Sequence, residues 1–253
     1  MLRRLRACSE SYELGARPWL MGVVNASPDS FSDAGRFVGL DAQAERAREL
    51  IAAGADVIDV GGESGITNRP AVDADEEIAR VVPLVERAVQ AGAPVVSIDT
   101  YKPAVAEAAI AAGASIVNDV SGLRDLGLAD VCARTGAALV VMHTRAAPKQ
   151  RLQDPALYED VVADVAAFLR ERMDAAMERG VEAEQLLLDP GPDFTKTPAQ
   201  TVAVLRRLDA LHELGRPLLL AISRKDFIGA VTGRPPARRD AGTLAALAHG
   251  ADA

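Results

Sequence analysis

The feature that most constrains the fold of this chain is a repeated unit: a short apolar run, a loop, and a segment with helical periodicity. Seven such runs are rich in Val, Ile and Leu, and they barely alternate between apolar and polar residues. Runs of this kind are typical of strands buried on both faces of a parallel sheet. They occupy residues 19–25, 57–61, 95–100, 115–119, 138–143, 186–189 and 217–223.

The segments between the runs carry helix signals. Asp73 followed by Glu76 resembles a capping box, and Pro103 suits the first turn of a helix. Residues 156–179 carry an apolar stripe at helical spacing, which Gly180 closes. Glycines that suit left-handed helix caps precede three of the runs, at Gly54, Gly113 and Gly136.

Seven units with short connections predict an α/β fold of the (β/α)8 TIM-barrel type rather than an open sheet. The 253 residues suit one barrel domain spanning 1–253, with residues 1–17 as an N-terminal lead-in. The seventh helix is predicted at about residues 242–249, and the chain ends at Ala253. We therefore expect a truncated C-terminal βα unit without its eighth strand. The alternative is a barrel that closes imperfectly and leaves strand edges unpaired.

Charge and composition exclude several classes of protein. The net charge of −8 argues against general binding to nucleic acids or anionic membranes, which requires a basic surface. No apolar stretch approaches the about 18 residues of a membrane span, and no signal peptide is recognisable. Cys8 and Cys132 lack metal-ligand or disulfide spacing, so we interpret them as reduced thiols of a cytoplasmic protein.

Polar residues end nearly all of the apolar runs. In a parallel barrel the carboxyl ends of the strands meet at one face, so these side chains are expected to converge. Carboxylates, amides and a lysine together suit a flat heterocycle that carries both donors and acceptors. The strand-end residues are Asn25, Asp59, Asp99, Asn118, Asp119, Met142, His143, Asp189 and the segment Ser223-Arg224-Lys225. Of these, we interpret Asp119 and His143 as structural and Asp59 as a brace.

Six segments resemble, in order, the signature motifs of dihydropteroate synthases. They are 24–33 (VNASPDSFSD), 58–64 (IDVGGES), 97–102 (SIDTYK), 117–122 (VNDVSG), 188–191 (LDPG) and 223–225 (SRK). The resemblance extends from Trp19 to the end of the chain. It implies a TIM-barrel transferase of folate biosynthesis. That enzyme condenses 6-hydroxymethyl-7,8-dihydropterin diphosphate with 4-aminobenzoate and releases diphosphate.

The resemblance also implies a pterin site. Asp99, Asn118 and Asp189 would hold the edge of the pterin, and Lys225 would donate a hydrogen bond to it. Met142 would pack nearby.

For the diphosphate, the resemblance implies that Asn25 helps to position Mg²⁺. The loop 26–37 would close over the site, with Asp29 contributing to catalysis. Thr67 and Arg69 are the counterparts of a substrate-binding threonine and a diphosphate-binding arginine, displaced by an insertion at Gly65-Ile66.

For 4-aminobenzoate, the resemblance places Phe194 and Lys196 near the binding channel and Ser223 and Asp226 at its rim. Many family members have serine where this chain has Asp226, and an aspartate there would repel the aminobenzoate carboxylate. The alternative is that Asp226 caps the following helix and faces away. The resemblance further suggests a homodimer.

Two other functions remain possible from the sequence. The insertion at Gly65-Ile66 and the change at Asp226 are compatible with a non-catalytic or altered-substrate paralogue that binds a pterin. A methyltransferase that uses methyltetrahydrofolate shares the barrel and the pterin clamp. The segment 223–225 and the loop 25–33 argue against it.

Overall fold

The computed structural model describes residues 3–15, 17–26, 39–63 and 71–252. Its centre is a parallel sheet whose strands lie side by side in chain order, as in a (β/α) barrel. Six of the seven predicted runs form these strands. Two N-terminal strands, β1 (Arg3–Ala7) and β2 (Glu10–Leu14), come first in the chain. The six strands of the parallel sheet are β3 (Met21–Asn25), β4 (Val57–Gly61), β5 (Val95–Asp99), β6 (Ile116–Asp119), β7 (Ala138–Met142) and β8 (Leu186–Asp189).

The seventh predicted run, 217–223, forms a single parallel bridge instead of a strand. Leu218 pairs with Leu188 of β8, and the Leu219 amide donates to the Leu188 carbonyl at 2.8 Å. Pro217 lacks an amide donor, and the described residues place no strand on the other side of this run. Pairing along one edge therefore stabilises only its first residues.

Helices surround the sheet where the periodicity predicts them. Asp73 Oδ1 accepts from the Glu76 amide at 2.8 Å, and Pro103 is the first helical residue of its helix. The long helix predicted from residue 156 begins at Val161, because the Asp160 side chain caps it. The helices are α1 (Leu40–Ala52), α2 (Ala74–Gln90), α3 (Pro103–Ala111), α4 (Gly127–Thr135), α5 (Val161–Glu178), α6 (Pro198–Leu205), α7 (Leu208–His212), α8 (Asp226–Thr232) and α9 (Asp240–Asp252). None of the described helices is long and apolar enough to cross a membrane.

The N-terminal lead-in contains an antiparallel hairpin that the sequence analysis missed. It consists of β1 (Arg3–Ala7) and β2 (Glu10–Leu14). Leu5 and Ala7 are buried against residues near the starts of the barrel strands, namely Val57, Val95, Ile116, Ala138 and Val140. Full burial of a leucine side chain contributes about 1.5–3 kcal/mol. The hairpin therefore closes the amino-terminal end of the barrel.

Side chains alternate between the two faces of each strand, and this decides which residues line the barrel. Ile58 and Val60 belong to the core beneath the helices, whereas Val57 packs inside the barrel with the hairpin. By the same period of two, Asp59 and Gly61 also face the interior. Applied to every strand, this gives an interior that is apolar near the hairpin and polar at the carboxyl ends. We call this upper group the interior polar layer: Asn25, Asp59, Asp99, Asn118 and Asp189.

Candidate active site

The strand register brings most of the interior polar layer to one level of the barrel. Asn25 lies opposite Gly61, Gly61 lies opposite Asp99, and Asp99 lies opposite Asn118. On the other side of the barrel, Asp189 lies opposite Met142. Four predicted binding residues and the predicted metal ligand therefore share the carboxyl end of the sheet.

Asp59 lies one level below Asn118, and the two buried side chains contact each other. The Asn118 amide nitrogen lies 3.4 Å from both carboxylate oxygens of Asp59. Because an ionised carboxylate only accepts hydrogen bonds, this contact places the Asn118 nitrogen toward Asp59 and its oxygen away from it. The Asn118 oxygen is then presented as an acceptor. This agrees with the interpretation of Asp59 as a brace.

The carboxyl group of Asp99 is difficult to ionise in the free protein. Burial raises the pKa of Asp99 well above its usual value, and the negative charges of Asp59, Glu77, Asp119 and Glu63 raise it further. Burial also raises the pKa of Asp59. A ligand that donates hydrogen bonds or carries positive charge would favour the ionised form of Asp99.

Because Gly61 has no side chain, it leaves a space between two side-chain oxygens that could ligate a metal ion. A Cβ atom on this glycine would lie 3.5 Å from Asn25 Oδ1 and 3.6 Å from Asp99 Oδ2. Amide and carboxylate oxygens are the ligands that Mg²⁺ prefers. The described residues contain no cluster of three His, Cys, Asp or Glu side chains that could hold a metal. Among the described residues, Asn25 and Asp99 could therefore supply one or two oxygen ligands to such an ion.

Asp189 and Lys225 form the opposite side of the site. Burial raises the pKa of Asp189, although the charge of Lys225 and a 2.7 Å hydrogen bond from the Gly191 amide oppose this shift. Lys225 donates to the Pro192 carbonyl at 2.8 Å, and its ammonium lies 4.6 Å from the centre of the Phe194 ring. Burial lowers the pKa of Lys225, and the charge of Asp189 opposes that change. A lysine donor thus lies beside a buried carboxylate acceptor.

The sequence model of a family described as pterin binding enzymes matches residues 21–253. Dihydropteroate synthase of Bacillus subtilis is 41% identical over 232 residues, which cover 91% of this chain and 79% of that protein. The chain belongs to the dihydropteroate synthase family. This confirms the predicted family, transferase class and main reaction.

Solved structures of the family agree with the barrel. A Xanthomonas albilineans dihydropteroate synthase with 4-aminobenzoic acid has a TM-score of 0.90 at 42% identity, covering 100% of this chain and 90% of that one. A Yersinia pestis dihydropteroate synthase with a sulfonamide drug complex has a TM-score of 0.91 at 35% identity, covering 98% and 89%. The predicted TIM-barrel fold is therefore confirmed.

Among the other residues that the family resemblance predicts, Lys196 has an unexpected environment. It is fully buried, and its ammonium donates to the carbonyls of Gly191 and Phe194 at 3.0 and 3.1 Å. It also lies 2.7 Å from His143 Nδ1. Its direct contact with aminobenzoate stays a prediction, and this placement favours an indirect role.

Ser223 and Asp226 lie at the exposed rim. The Asp226 side chain is 61% exposed at the start of α8, and its carboxylate lies 3.2 Å from Arg239 and 3.9 Å from Arg151. Lys225, not Asp226, occupies the capping position of that helix. The two arginines partly balance the charge that was expected to repel aminobenzoate. The remaining predicted residues, Asp29, Thr67 and Arg69, lie outside the described residues.

A buried ion-pair cluster at the rim was not predicted. Glu63 lies 2.7 Å from both Lys102 and Lys149, accepts from the Tyr101 hydroxyl, and shares Lys102 with Glu77. Burial alone would raise the pKa of Glu63, but hydrogen bonds from the two lysines outweigh it and lower the pKa. The cluster ties together the segments that follow β4, β5 and β7. In the sequence, only Glu63, Tyr101 and Lys102 of this cluster lie within three residues of a strand end.

Proposed function

We propose that Asp99, Asn118 and Asp189 of the interior polar layer, together with Lys225, bind the pterin ring during the dihydropteroate synthase reaction. In this reaction 6-hydroxymethyl-7,8-dihydropterin diphosphate and 4-aminobenzoate form dihydropteroate and diphosphate. The observation that carries the proposal is the common inner face of Asp99, Asn118 and Asp189, with Lys225 beside Asp189.

The pattern of hydrogen-bond donors and acceptors in these groups is complementary to the 2-amino-pyrimidinone edge of the pterin. Asp189 and the Asn118 oxygen can accept from its amino and ring N–H groups, and Lys225 can donate to its carbonyl or ring nitrogen. Asp99 becomes a stronger acceptor as the ring approaches, because donors on the ligand favour its ionised form. Met142 is buried beside Asp189 and can pack against the ring.

The reaction breaks the bond between the pterin methylene carbon and the diphosphate oxygen and forms a bond from that carbon to the arylamine nitrogen. The buried carboxylates stabilise positive charge that develops on the pterin. The amine is already nucleophilic, so it requires orientation more than a strong base, and the proton that it loses leaves with the diphosphate. We assign this orientation to Phe194 and the rim residues Ser223 and Asp226.

The position beside Gly61 fits Mg²⁺ bound through Asn25 together with oxygens of the diphosphate. Bound there, the ion would stabilise the charge of the departing diphosphate. Roles for Asp29, Thr67 and Arg69 in closing the site and binding the diphosphate remain part of the proposal. A cytoplasmic homodimer is also proposed, and the free thiols of Cys8 and Cys132 are consistent with a reducing compartment.

The test is a turnover assay on the purified chain with both substrates and Mg²⁺. Diphosphate and dihydropteroate should appear in equal amounts, and Asn118→Ala should lower kcat/KM by about tenfold or more. Calorimetry with the pterin diphosphate provides the control. Tight binding without product would overturn the proposed reaction and favour a pterin-binding paralogue.

A further inference from the structure

The segment 191–196, which we call the β8 loop, has an unusual backbone. Gly191, Asp193 and Thr195 have φ values of +63°, +63° and +52°. Left-handed conformations at residues other than glycine persist only where the surrounding structure holds them. Some contact must therefore fix this loop.

Thr201 holds Asp193 and Tyr158 holds Thr195 from outside the loop, and Lys196 supplies the contacts from inside it. Its ammonium has three N–H donors, and the three acceptors are the Gly191 carbonyl, the Phe194 carbonyl and His143 Nδ1. The Gly191 carbonyl also accepts from the Phe194 amide at 3.0 Å. The lysine therefore joins both ends of the turn to β7.

His143 is fixed in turn by charged groups on α5 and after β7. Since its Nδ1 accepts from Lys196, its Nε2 carries the proton and donates to Asp164 at 3.0 Å. Arg145 binds the same carboxylate through two hydrogen bonds, of 3.1 and 2.6 Å. Burial and the charge of Lys196 lower the pKa of His143 to about 3, which keeps the ring neutral.

The β8 loop carries several parts of the proposed site. Its Pro192 carbonyl accepts from Lys225, and its Phe194 ring lies beneath the Lys225 ammonium. Asp193 accepts from the Phe227 amide at 3.0 Å and so holds the first turn of α8. A shift of this loop would move the predicted aminobenzoate contacts, whereas Asp99 and Asn118 lie on strands.

We propose that Lys196, together with His143 and Asp164, is a positioning residue that holds the β8 loop in the conformation that binds the arylamine. The inference rests on the proposed function and deepens it. Lys196 acts through the loop and not by touching substrate. Its loss should therefore raise the KM for 4-aminobenzoate more than the KM for the pterin diphosphate.

The main variant is Lys196→Met, which keeps the side-chain length and removes the donors. We expect the KM for 4-aminobenzoate to rise about tenfold, while the KM for the pterin diphosphate changes by less than about threefold. Asp164→Asn, at a partly exposed residue, should shift the aminobenzoate KM in the same direction by about two- to threefold.

The matched control is Gln185→Met at the other end of the barrel. Gln185 is also buried and donates to two carbonyls, those of Cys132 and Ala137, at 3.0 and 2.7 Å. Its loss should lower Tm without a selective change in the aminobenzoate KM. Equal rises of both KM values in Lys196→Met, or the same selective change in the control, would overturn the proposal.

Hydrogen exchange separates this inference from the proposed function. Amides of residues 191–196 should exchange faster in Lys196→Met and Asp164→Asn than in the wild-type chain, and remain unchanged in Gln185→Met. This measurement needs no turnover, so an inactive wild-type chain would refute the proposed function and leave the loop test intact. If Lys196→Met does not fold, unchanged exchange in Asp164→Asn would refute the inference.

Discussion

The two sides of the proposed active site are built by different means. One side, Asp99 and Asn118, lies on β5 and β6, and the strand register alone sets their spacing. The other side, Phe194 and Lys225, lies on loops that are held by buried hydrogen bonds and left-handed residues. A substitution near the strand side should change ligand binding locally. One near the loop side should also change the shape of the site.

The largest effect is expected where the two sides meet, at Asp189. This residue ends β8, accepts from the Gly191 amide and faces Lys225. Asp189→Ala would remove the negative charge that opposes the lowering of the Lys225 pKa, leave the Gly191 amide without its acceptor, and remove an acceptor for the pterin. We expect kcat/KM to fall by about a thousandfold in steady-state assays. Asp189→Asn keeps an acceptor and should lose less. A loss below tenfold in the alanine variant would show that the two sides act independently.

The next largest effect tests the close approach of the loop to β7. A Cβ atom on Gly191 would lie 2.1 Å from the His143 carbonyl oxygen, and its φ is +63°. Gly191→Ala should therefore lower the free energy of unfolding by about 2–4 kcal/mol, read as a fall in Tm of about 10 °C.

Gly233 is the matched control for this variant. Its φ is +66°, and nothing lies within 4 Å of its Cβ position. Gly233→Ala should lower the free energy of unfolding by about 1 kcal/mol, because it has the cost of the left-handed backbone without a steric clash. Equal losses in the two variants would show that the contact with His143 contributes nothing.

On the strand side, Asp59→Asn tests whether Asp59 orients the Asn118 amide. Asparagine can donate as well as accept, so it no longer dictates which end of Asn118 faces it. We expect the KM for the pterin diphosphate to rise about tenfold, with less than a threefold change for 4-aminobenzoate.

The comparison variant is Asp119→Asn, on the opposite face of β6. Asp119 accepts from the amides of Ser121 and Leu123, so its variant should lower Tm. The pterin KM should hardly change. If instead the KM of Asp59→Asn for the pterin diphosphate equals that of the wild-type chain, Asp59 is not needed to orient the Asn118 amide.

The strand side could be predicted from the sequence, and the loop side could not. A period of two places Asp59, Asp99 and Asn118 inside once the strands are recognised, because alternation is a local property of the chain. The contact between Lys196 and His143 joins residues 53 positions apart and depends on how two loops pack. The hairpin was missed for a related reason: Leu5 and Ala7 alternate with arginines over only five residues, and their burial comes from the barrel above them.

The smallest effect concerns Asp99 and the pH dependence of stability. Burial, followed by the charge of Asp59, raises the folded pKa of Asp99 above its unfolded value, so the folded state holds the proton more tightly. Its contribution is fully present below the unfolded pKa, near 4, and is lost as pH rises through the folded pKa. At neutral pH, Asp99→Asn should therefore have a higher Tm than the wild-type chain, although it binds the pterin poorly. The gain should vanish below about pH 3, where Asp99 is protonated in both the folded and the unfolded state. Melting curves across this range test the prediction, since a pH-independent difference would mean that folding does not raise the pKa of Asp99.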